Sequence, residues 1–387
     1  MSFPNHLKPF TFLISFFHIF TNSQTIIPVQ YRENNGYQIL ASATKPHLNT
    51  LFTLDTSTDY SLITTSYLKI ENSKIQPITV NSNTYECKII NSSFYSNEPP
   101  YTETPLPLAL VIPTPFLNLE QNILGLGYKP INIKYEDMFI PKLYINNIIP
   151  KPSFTFGPFT TSDSRKLYLG GTPPQLQSNQ YKTKLNVVNT TSPLSHWAIN
   201  MKSFSFITSN HHKTLYTYPN THITHINIAD DRFFVPNNVM KFINETVFKE
   251  YFSKGKCNQT YAKTRWYINC DCSITATFPD LLFNIDDKAF ILTPNQSFIK
   301  VSGGTSCLFI MQNNYLENND LFFIGNFFIR NITTEFDYNE KAIFVYSSFP
   351  ISDIAHMNKV IIIKDFFIVT SLCLILSTIC LMIFNKK

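Results

Sequence analysis

The sequence predicts an all-β protein built from two duplicated β-lobes with short helices, followed by one C-terminal transmembrane helix. The chain is rich in residues that favour strands, with 35 Phe and 20 Tyr. Short apolar runs alternate with clusters of Asn, Ser, Pro and Thr, which is typical of many short strands. Such runs occupy residues 50–54, 108–112, 281–285 and 321–329. A length of 387 residues leaves room for two domains.

Two helices and a weak internal repeat complete this prediction. The apolar spacing predicts helices at 134–140 and 237–251. Each half of the chain contains an apolar strand running into a polar hairpin and, later, an apolar-apolar-Gly segment. These segments are Leu54-Asp55-Thr56 with Ile123-Leu124-Gly125, and Ile226-Asn227-Ile228 with Phe323-Ile324-Gly325. A repeat of this kind indicates a duplicated lobe, and a Gly inside such a strand allows another backbone to approach closely.

The N-terminus predicts a targeting signal. His6 and Lys8 precede an uncharged, apolar stretch over residues 10–20, and small polar residues follow it. That stretch has the length of a signal-peptide core and is too short to span a bilayer. We expect residues 1–23 to form a signal peptide cleaved close to Ser23, with an uncleaved anchor as the alternative.

The C-terminus predicts a membrane span. Residues 366–384 carry no charge, and as a helix they would cover about 28 Å, close to the thickness of a hydrocarbon core. Lys386 and Lys387 follow, and a basic end belongs on the cytosolic side. A glycolipid-anchor signal is the alternative because small residues such as Ser347 and Ser348 lie upstream, although such signals normally end in their hydrophobic tail.

These ends define the predicted organisation. An N-terminal β-lobe occupies 24–175, a C-terminal β-lobe 176–350, a juxtamembrane segment 351–365, the transmembrane helix 366–384 and a cytosolic tail 385–387. The protein is then a single-pass type I membrane protein of the cell surface or secretory pathway, with its ectodomain outside the cytosol. Six Asn-x-Ser/Thr sequons fit a glycosylated ectodomain: Asn91, Asn189, Asn244, Asn258, Asn295 and Asn331.

Several function classes find no support. The net charge of +5 comes from scattered residues without a basic run, so we expect no nucleic-acid partner. The pairs His211-His212 and His222-x-x-His225 lack acidic or cysteine ligands at a diagnostic spacing, so we expect surface or loop histidines and no metal. Neither a phosphate loop nor a dinucleotide fingerprint is present, and we expect no cofactor.

An ordered set of segments resembles the pepsin family of aspartic proteases over residues 26–349. Asp55-Thr56-Ser57-Thr58 resembles the family's first Asp-Thr-Gly-Ser hairpin, and Ile123-Leu124-Gly125-Leu126 is similar to its Ile-Leu-Gly-Leu. Further similar segments are Leu167-Tyr168-Leu169-Gly170-Gly171, His196-Trp197-Ala198-Ile199, Phe278-Pro279-Asp280-Leu281, Phe323-Ile324-Gly325-Asn326 and Phe336-Asp337. The resemblance implies the bilobal pepsin-like acid protease fold and an extended peptide or protein bound in the cleft between the lobes.

The resemblance also implies how the ectodomain cysteines pair. In that comparison Cys272 pairs with Cys307, and Cys257 and Cys270 are then free to close a short local loop. Five cysteines lie between the two hydrophobic ends, so one thiol is left over, and we assign it to Cys87. A buried, inert thiol is the favoured interpretation of Cys87, and an intermolecular link is the alternative.

Hydrolysis in this family needs two carboxyl groups that share one proton, because two such close charges do not both ionise. By resemblance Asp55 fills the first position, with Ser57 in place of a packed glycine. The family places a proline nine residues after its second Asp, and counting back from Pro236 gives Asn227. An amide side chain neither takes nor gives the shared proton. Ile228 also replaces a threonine that ties the two hairpins together in the family.

Asp230 is the candidate substitute for the missing acid, although Arg232 then occupies a position that needs glycine. Tyr85 is the candidate for the tyrosine of the flap that covers the substrate, with Leu62 in place of the tryptophan that bonds to it. Two functions follow. The first is a membrane-anchored family member with a degenerate dyad, impaired in hydrolysis and retaining a peptide-binding cleft. The alternative is an active endopeptidase at acidic pH that uses Asp55 with Asp230.

Overall fold

A computed structural model describes most of the region between the two hydrophobic ends. The described residues are 25–32, 36–42, 49–64, 75–80, 83–96, 103–112, 122–157, 164–178, 180–190, 195–207, 213–230, 232–262, 265–301, 304–313, 322–326, 332–348 and 351. Within these ranges no helix is both long and apolar enough to cross a membrane. The predicted signal peptide and the predicted span at 366–384 lie outside the described residues.

Strands dominate the structure, as the sequence predicts. They are β1 Thr25–Arg32, β2 Gly36–Ser42, β3 Asn49–Asp55, β4 Ser61–Ile63, β5 Ile75–Val80, β6 Asn83–Ser96, β7 Glu103–Val111, β8 Asn122–Gly125, β9 Ser153–Phe156, β10 Ser164–Leu169, β11 Tyr181–Asn186, β12 Trp197–Ile207, β13 Lys213–Ile226, β14 Phe233–Val235, β15 Cys257–Ala262, β16 Arg265–Asp271, β17 Asp280–Ile285, β18 Lys288–Leu292, β19 Phe298–Lys300, β20 Ser306–Phe309, β21 Met311–Asn313, β22 Phe322–Ile324, β23 Thr333–Asp337 and β24 Ala342–Ser347. The α-helices are short: α1 Phe139–Ile145, α2 Pro174–Gln177, α3 Asn237–Thr246, α4 Lys249–Ser253 and α5 Pro294–Ser297. Two 3-10 helices span Tyr135–Asp137 and Cys272–Ala276.

The largest sheet joins the two halves of the chain. Its strand order is β11-β24-β23-β9-β10-β1-β2-β3-β8-β4-β7-β6-β5. Strands β11, β23 and β24 come from the C-terminal half and join the N-terminal strands where β23 pairs with β9, with Phe336 opposite Phe154. Parallel pairing of β3 with β8 places Asp55 opposite Gly125.

A second sheet repeats the central part of the first. Its order is β18-β17-β12-β13-β22-β14-β21. Strand β13 pairs in parallel with β22, as β3 does with β8, and β14 pairs antiparallel with β22, as β4 does with β8. The internal repeat therefore corresponds to two copies of the same strand arrangement. A third sheet, β15-β16-β20-β19, carries the cysteine-rich segment.

Both predicted helices are present with different bounds. The prediction ended the first at residue 140, before Pro141, whereas α1 continues to Ile145. Pro141 lies in the first turn of α1, where a backbone N–H has no intrahelical acceptor, so the proline costs no hydrogen bond. The second predicted helix is divided into α3 and α4, and the buried Phe248 lies between them.

Trp197 lies at the centre of the core between the halves. Its ring is fully buried and packs against Phe154, Phe336 and Tyr338. Its indole Nε1–H donates to the carbonyl oxygen of Leu126 at 2.9 Å. The buried Tyr338 hydroxyl donates to the carbonyl oxygen of Gly127 at 2.8 Å. Two side chains of the C-terminal half therefore hold the segment that follows β8, next to Asp55.

Candidate active site

The first hairpin begins where β3 ends at Asp55. The Asp55 side chain is fully buried, and the backbone N–H of Ser57 donates to its Oδ1 at 2.7 Å. The backbone N–H of Leu126 donates to the Asp55 carbonyl oxygen at 2.7 Å. Ser57 itself is buried and does not adopt a positive φ, so its Cβ is accommodated without left-handed backbone. The turn therefore holds the carboxyl group of Asp55 in one orientation.

The second hairpin follows β13 and reproduces the side-chain contact of the first around Asn227. The backbone N–H of Ala229 donates to Asn227 Oδ1 at 3.0 Å, as Ser57 does to Asp55. The backbone contact differs, because the N–H of Asn326 donates to the Asp230 carbonyl oxygen, whereas the N–H of Leu126 donates to that of Asp55. By the side-chain contact Asn227 is the counterpart of Asp55, and Asp230 is the counterpart of Thr58 because Gly325 packs against its carbonyl oxygen as Gly125 packs against that of Thr58.

Close packing against each hairpin explains the two repeated glycines. A Cβ on Gly125 would overlap the carbonyl oxygen of Tyr60 and lie 2.9 Å from that of Thr58. A Cβ on Gly325 would overlap the carbonyl oxygen of Arg232 and lie 2.6 Å from that of Asp230. Any side chain there would push the hairpin away from the strand.

Thr56 links the two hairpins through its side chain. Thr56 Oγ1 donates to the carbonyl oxygen of Ile226 at 2.7 Å and accepts from the backbone N–H of Ile228 at 3.2 Å. Ile228 is the counterpart of Thr56 in the second hairpin and is fully buried. Because isoleucine has no hydroxyl group, the side chain of Ile228 makes no hydrogen bond that reciprocates the one from Thr56.

Asp230 is engaged with Arg232. Arg232 Nε lies 2.9 Å from Asp230 Oδ1, and Nη2 lies 3.2 Å from Oδ2, which is a two-point contact. The backbone N–H of Arg232 also donates to Oδ1 at 3.0 Å. For Asp230 to act with Asp55, its carboxylate would have to exchange this ion pair for a position beside Asp55. The role of Asp230 as a substitute acid remains a prediction.

Tyr85 lies on β6, after the turn of the β5–β6 hairpin, and is opposite Ile78. Its side chain is nearly buried in a cluster with Tyr60, Leu62 and Cys87. The flap role assigned to Tyr85 therefore stays a prediction, and its ring contributes to the packing of this hairpin. Gln76 Nε2 donates to the Tyr60 hydroxyl at 3.3 Å. Burial raises the pKa of Tyr60 to about 12.

Sequence reasoning missed Asp59, a buried acid in the first hairpin. Its Oδ2 accepts from the backbone N–H groups of Ile131 and Asn132 at 2.6 and 2.7 Å, and Asn132 Nδ2 donates to its Oδ1 at 2.9 Å. Asp59 thereby fixes the segment that follows β8 against the hairpin. No local motif reveals this role because the donors lie more than 70 residues away.

The cysteines are arranged as the resemblance implied. Disulfides join Cys257 to Cys270 and Cys272 to Cys307. Cys87 is a buried free thiol, and burial raises its pKa to about 12, so the thiol stays protonated at physiological pH.

The expectation of surface or loop histidines is wrong for His225. It lies within β13 and is 1% exposed, and His222 on the same strand is half-buried. Thr224, His225 and Ile226 are buried in succession, so both faces of β13 are covered here and the histidine faces a packed layer. His211 and His212 lie outside the described residues.

Comparisons with known proteins agree with this architecture. The family model described as eukaryotic aspartyl protease matches residues 109–346. The crystal structure of an aspartic proteinase from Irpex lacteus is similar, with a TM-score of 0.64 and 14% sequence identity, over 84% of this chain and 97% of that chain. At that identity the structural similarity supports the fold alone. No significant match is found among curated proteins.

Proposed function

The chain belongs to the eukaryotic aspartyl protease family, and we propose that it binds extended peptides in its cleft while being impaired in cleaving them. The observation that carries this proposal is the matched pair of turns. Ala229 N–H bonds to the Asn227 side chain as Ser57 N–H bonds to Asp55. An amide therefore occupies the position from which a second carboxyl group would act.

The chemistry of the pair explains the expected loss of activity. One acid of a carboxyl dyad must be protonated while the other, as carboxylate, removes a proton from the attacking water. The amide of Asn227 has no proton that titrates in this range and does not serve as a base. Losing one positioned acid–base group typically costs about 10²–10⁴ in rate.

The hairpins retain what is needed to hold a ligand. Asp55 is fixed by its own turn, and the segment that follows β8 is tied to Trp197, Tyr338 and Asp59. A preorganised surface loses less conformational entropy when a peptide binds, so binding does not depend on the missing acid. We propose that the ligand is an extended peptide or protein segment, as in the family.

The alternative function is an active endopeptidase at acidic pH that uses Asp55 with Asp230. This alternative requires the Asp230 carboxylate to give up its two-point contact with Arg232. Against it stand the three hydrogen bonds from Arg232 to the Asp230 carboxylate and the position of Asp230 as the counterpart of Thr58.

Cleavage of a denatured protein between pH 3 and 5 separates the two functions. The purified wild-type protein is compared with Asp55→Ala and Asp230→Asn, and peptide binding by each is measured at the same pH. We expect no cleavage that depends on Asp55, together with measurable peptide binding. Cleavage by the wild type that is lost in both variants would establish the active enzyme that uses Asp55 with Asp230. Cleavage by the wild type that is lost only in Asp55→Ala would also refute impaired catalysis, but without a role for Asp230.

We also propose a single-pass membrane anchor at 366–384, supported by the uncharged run and the lysines that follow it. The full chain should remain with membranes after extraction with alkaline carbonate and after treatment with a phospholipase that cleaves glycolipid anchors. Release by the phospholipase would favour the glycolipid anchor, and release by carbonate alone would contradict both.

A further inference from the structure

Two buried histidines, one just before β12 and one near the end of β13, contact each other close to the second hairpin. His196 immediately precedes β12, and His225 lies two residues before Asn227 on β13. Their ring centroids are 5.3 Å apart, and the ring of Phe323 lies 5.4 and 5.5 Å from them. The two residues are 4% and 1% exposed. An aromatic layer therefore encloses two titratable side chains.

Among the residues that the structure describes, neither imidazole has a polar partner. Both ring nitrogens of His196 and both of His225 are buried there without a hydrogen bond. A charged imidazole has two N–H donors, so protonation would bury a cation with nothing to accept from it. Each ring is consequently held in its neutral form. Burial lowers the pKa of His196 well below its usual value, and the neighbouring His225 lowers it further.

The surrounding charges oppose protonation as well. Burial lowers the pKa of His225 to about 4, with a smaller contribution from His222 on the same strand. The elements that supply the ring contacts are the start of β12, strand β13 and strand β22, which contributes Phe323. Among the described residues, the groups whose charge would affect the pKa of either ring are other histidines, and each of them lowers that pKa. No described carboxylate stabilises a protonated ring.

We propose that the His196–His225 pair is an acid-sensitive element that destabilises the strands carrying Asn227 when the pH falls. His225 pairs with both Ala198 and Phe323, so it is held between β12 and β22. Once protonated, either ring must move out of this layer to reach water. That movement would separate β13 from β12 and β22, and β13 carries the second hairpin. This proposal concerns stability and does not depend on whether the cleft binds or cleaves peptides.

The direction of the pH effect follows from the depressed pKa values. In the unfolded chain a histidine has a pKa of about 6.5. The stabilising contribution of each neutral, buried ring is fully present above that pH and is lost as the pH falls toward the pKa of the folded state. Between about pH 6.5 and 4, each of the two histidines should raise the unfolding equilibrium constant by about tenfold per pH unit.

The test combines titration and unfolding of the full chain in detergent. Histidines carrying a ¹³C label are titrated by NMR in the folded wild type, and chemical unfolding is followed at several pH values from 7.5 to 4. We expect two imidazoles to stay neutral down to about pH 4 or to titrate only as the protein unfolds. Titration of both rings near pH 6.5 in the folded protein would overturn the proposal.

Matched variants assign the effect to the pair. His225→Phe keeps an aromatic ring against Phe323 and removes the titrating group, so the pH dependence of the unfolding constant should fall by about tenfold per pH unit. His222→Gln is the control because His222 is only half-buried, and it should retain most of the wild-type dependence. Equal pH dependence in wild type and His225→Phe would contradict the proposal, and if that variant does not fold the wild-type titration decides.

Discussion

The side chains of Asn227 and Asp55 have nearly the same shape, and each accepts the same hydrogen bond from its turn. In each turn the backbone N–H two residues later donates to a side-chain oxygen. That contact is equally good for a carboxylate and for the oxygen of an amide. The fold therefore accommodates an amide at position 227 at little structural cost.

The Thr56 hydroxyl group links the two hairpins by hydrogen bonds, and the side chain of Ile228 adds none. Replacing Thr56 with Val would leave the Ile226 carbonyl and the Ile228 N–H without this buried partner. We expect a loss of stability of about 1–3 kcal/mol for each group left unsatisfied. Unfolding by urea measures the loss.

Thr56→Ser is the matched control because it keeps the hydroxyl group. It should recover most of the stability that Thr56→Val loses. Equal stability of wild type and Thr56→Val would show that this hydroxyl does not hold the hairpins together.

At the scale of elements, the strand that runs beside each hairpin requires glycine. Gly325→Ala would bring a methyl group against the backbone carbonyls of Asp230 and Arg232, which are not free to rotate away. We expect a loss of about 1–3 kcal/mol or more. Gly304→Ala is the control because its nearest atom is 3.6 Å away, and it should change stability by less than about 0.5 kcal/mol. Similar effects of the two substitutions on thermal unfolding would contradict the close packing inferred at β22.

Local patterns predicted the elements where the cause was local. The strands containing residues 50–54 and 281–285 are present because apolar, strand-favouring runs end at polar turns. The first helix was predicted to end at residue 140, whereas α1 continues past Pro141 because a proline in the first turn loses no hydrogen bond. The burial of His225 was missed because the layer that covers it comes from β12 and β22, far away in sequence.

At the scale of the whole molecule, the sequence predicted the pepsin-like scaffold. The internal repeat and the position of Asp55 were predictable because each leaves a short motif in the sequence, and the pairing of the cysteines followed from the family resemblance. The role of Asp59 and the ion pair of Asp230 with Arg232 were not predictable, since both depend on side-chain geometry.

The measurement that tests the central claim most directly is cleavage of a denatured protein at pH 3–5 by Asn227→Asp, alone and with Ile228→Thr. The substitutions return the second carboxyl group and the reciprocal threonine. We predict that cleavage appears and depends on Asp55, with a rate at least about 10² times that of the wild type. The account is contradicted if the wild type already cleaves through Asp55 and the returned carboxyl group adds nothing.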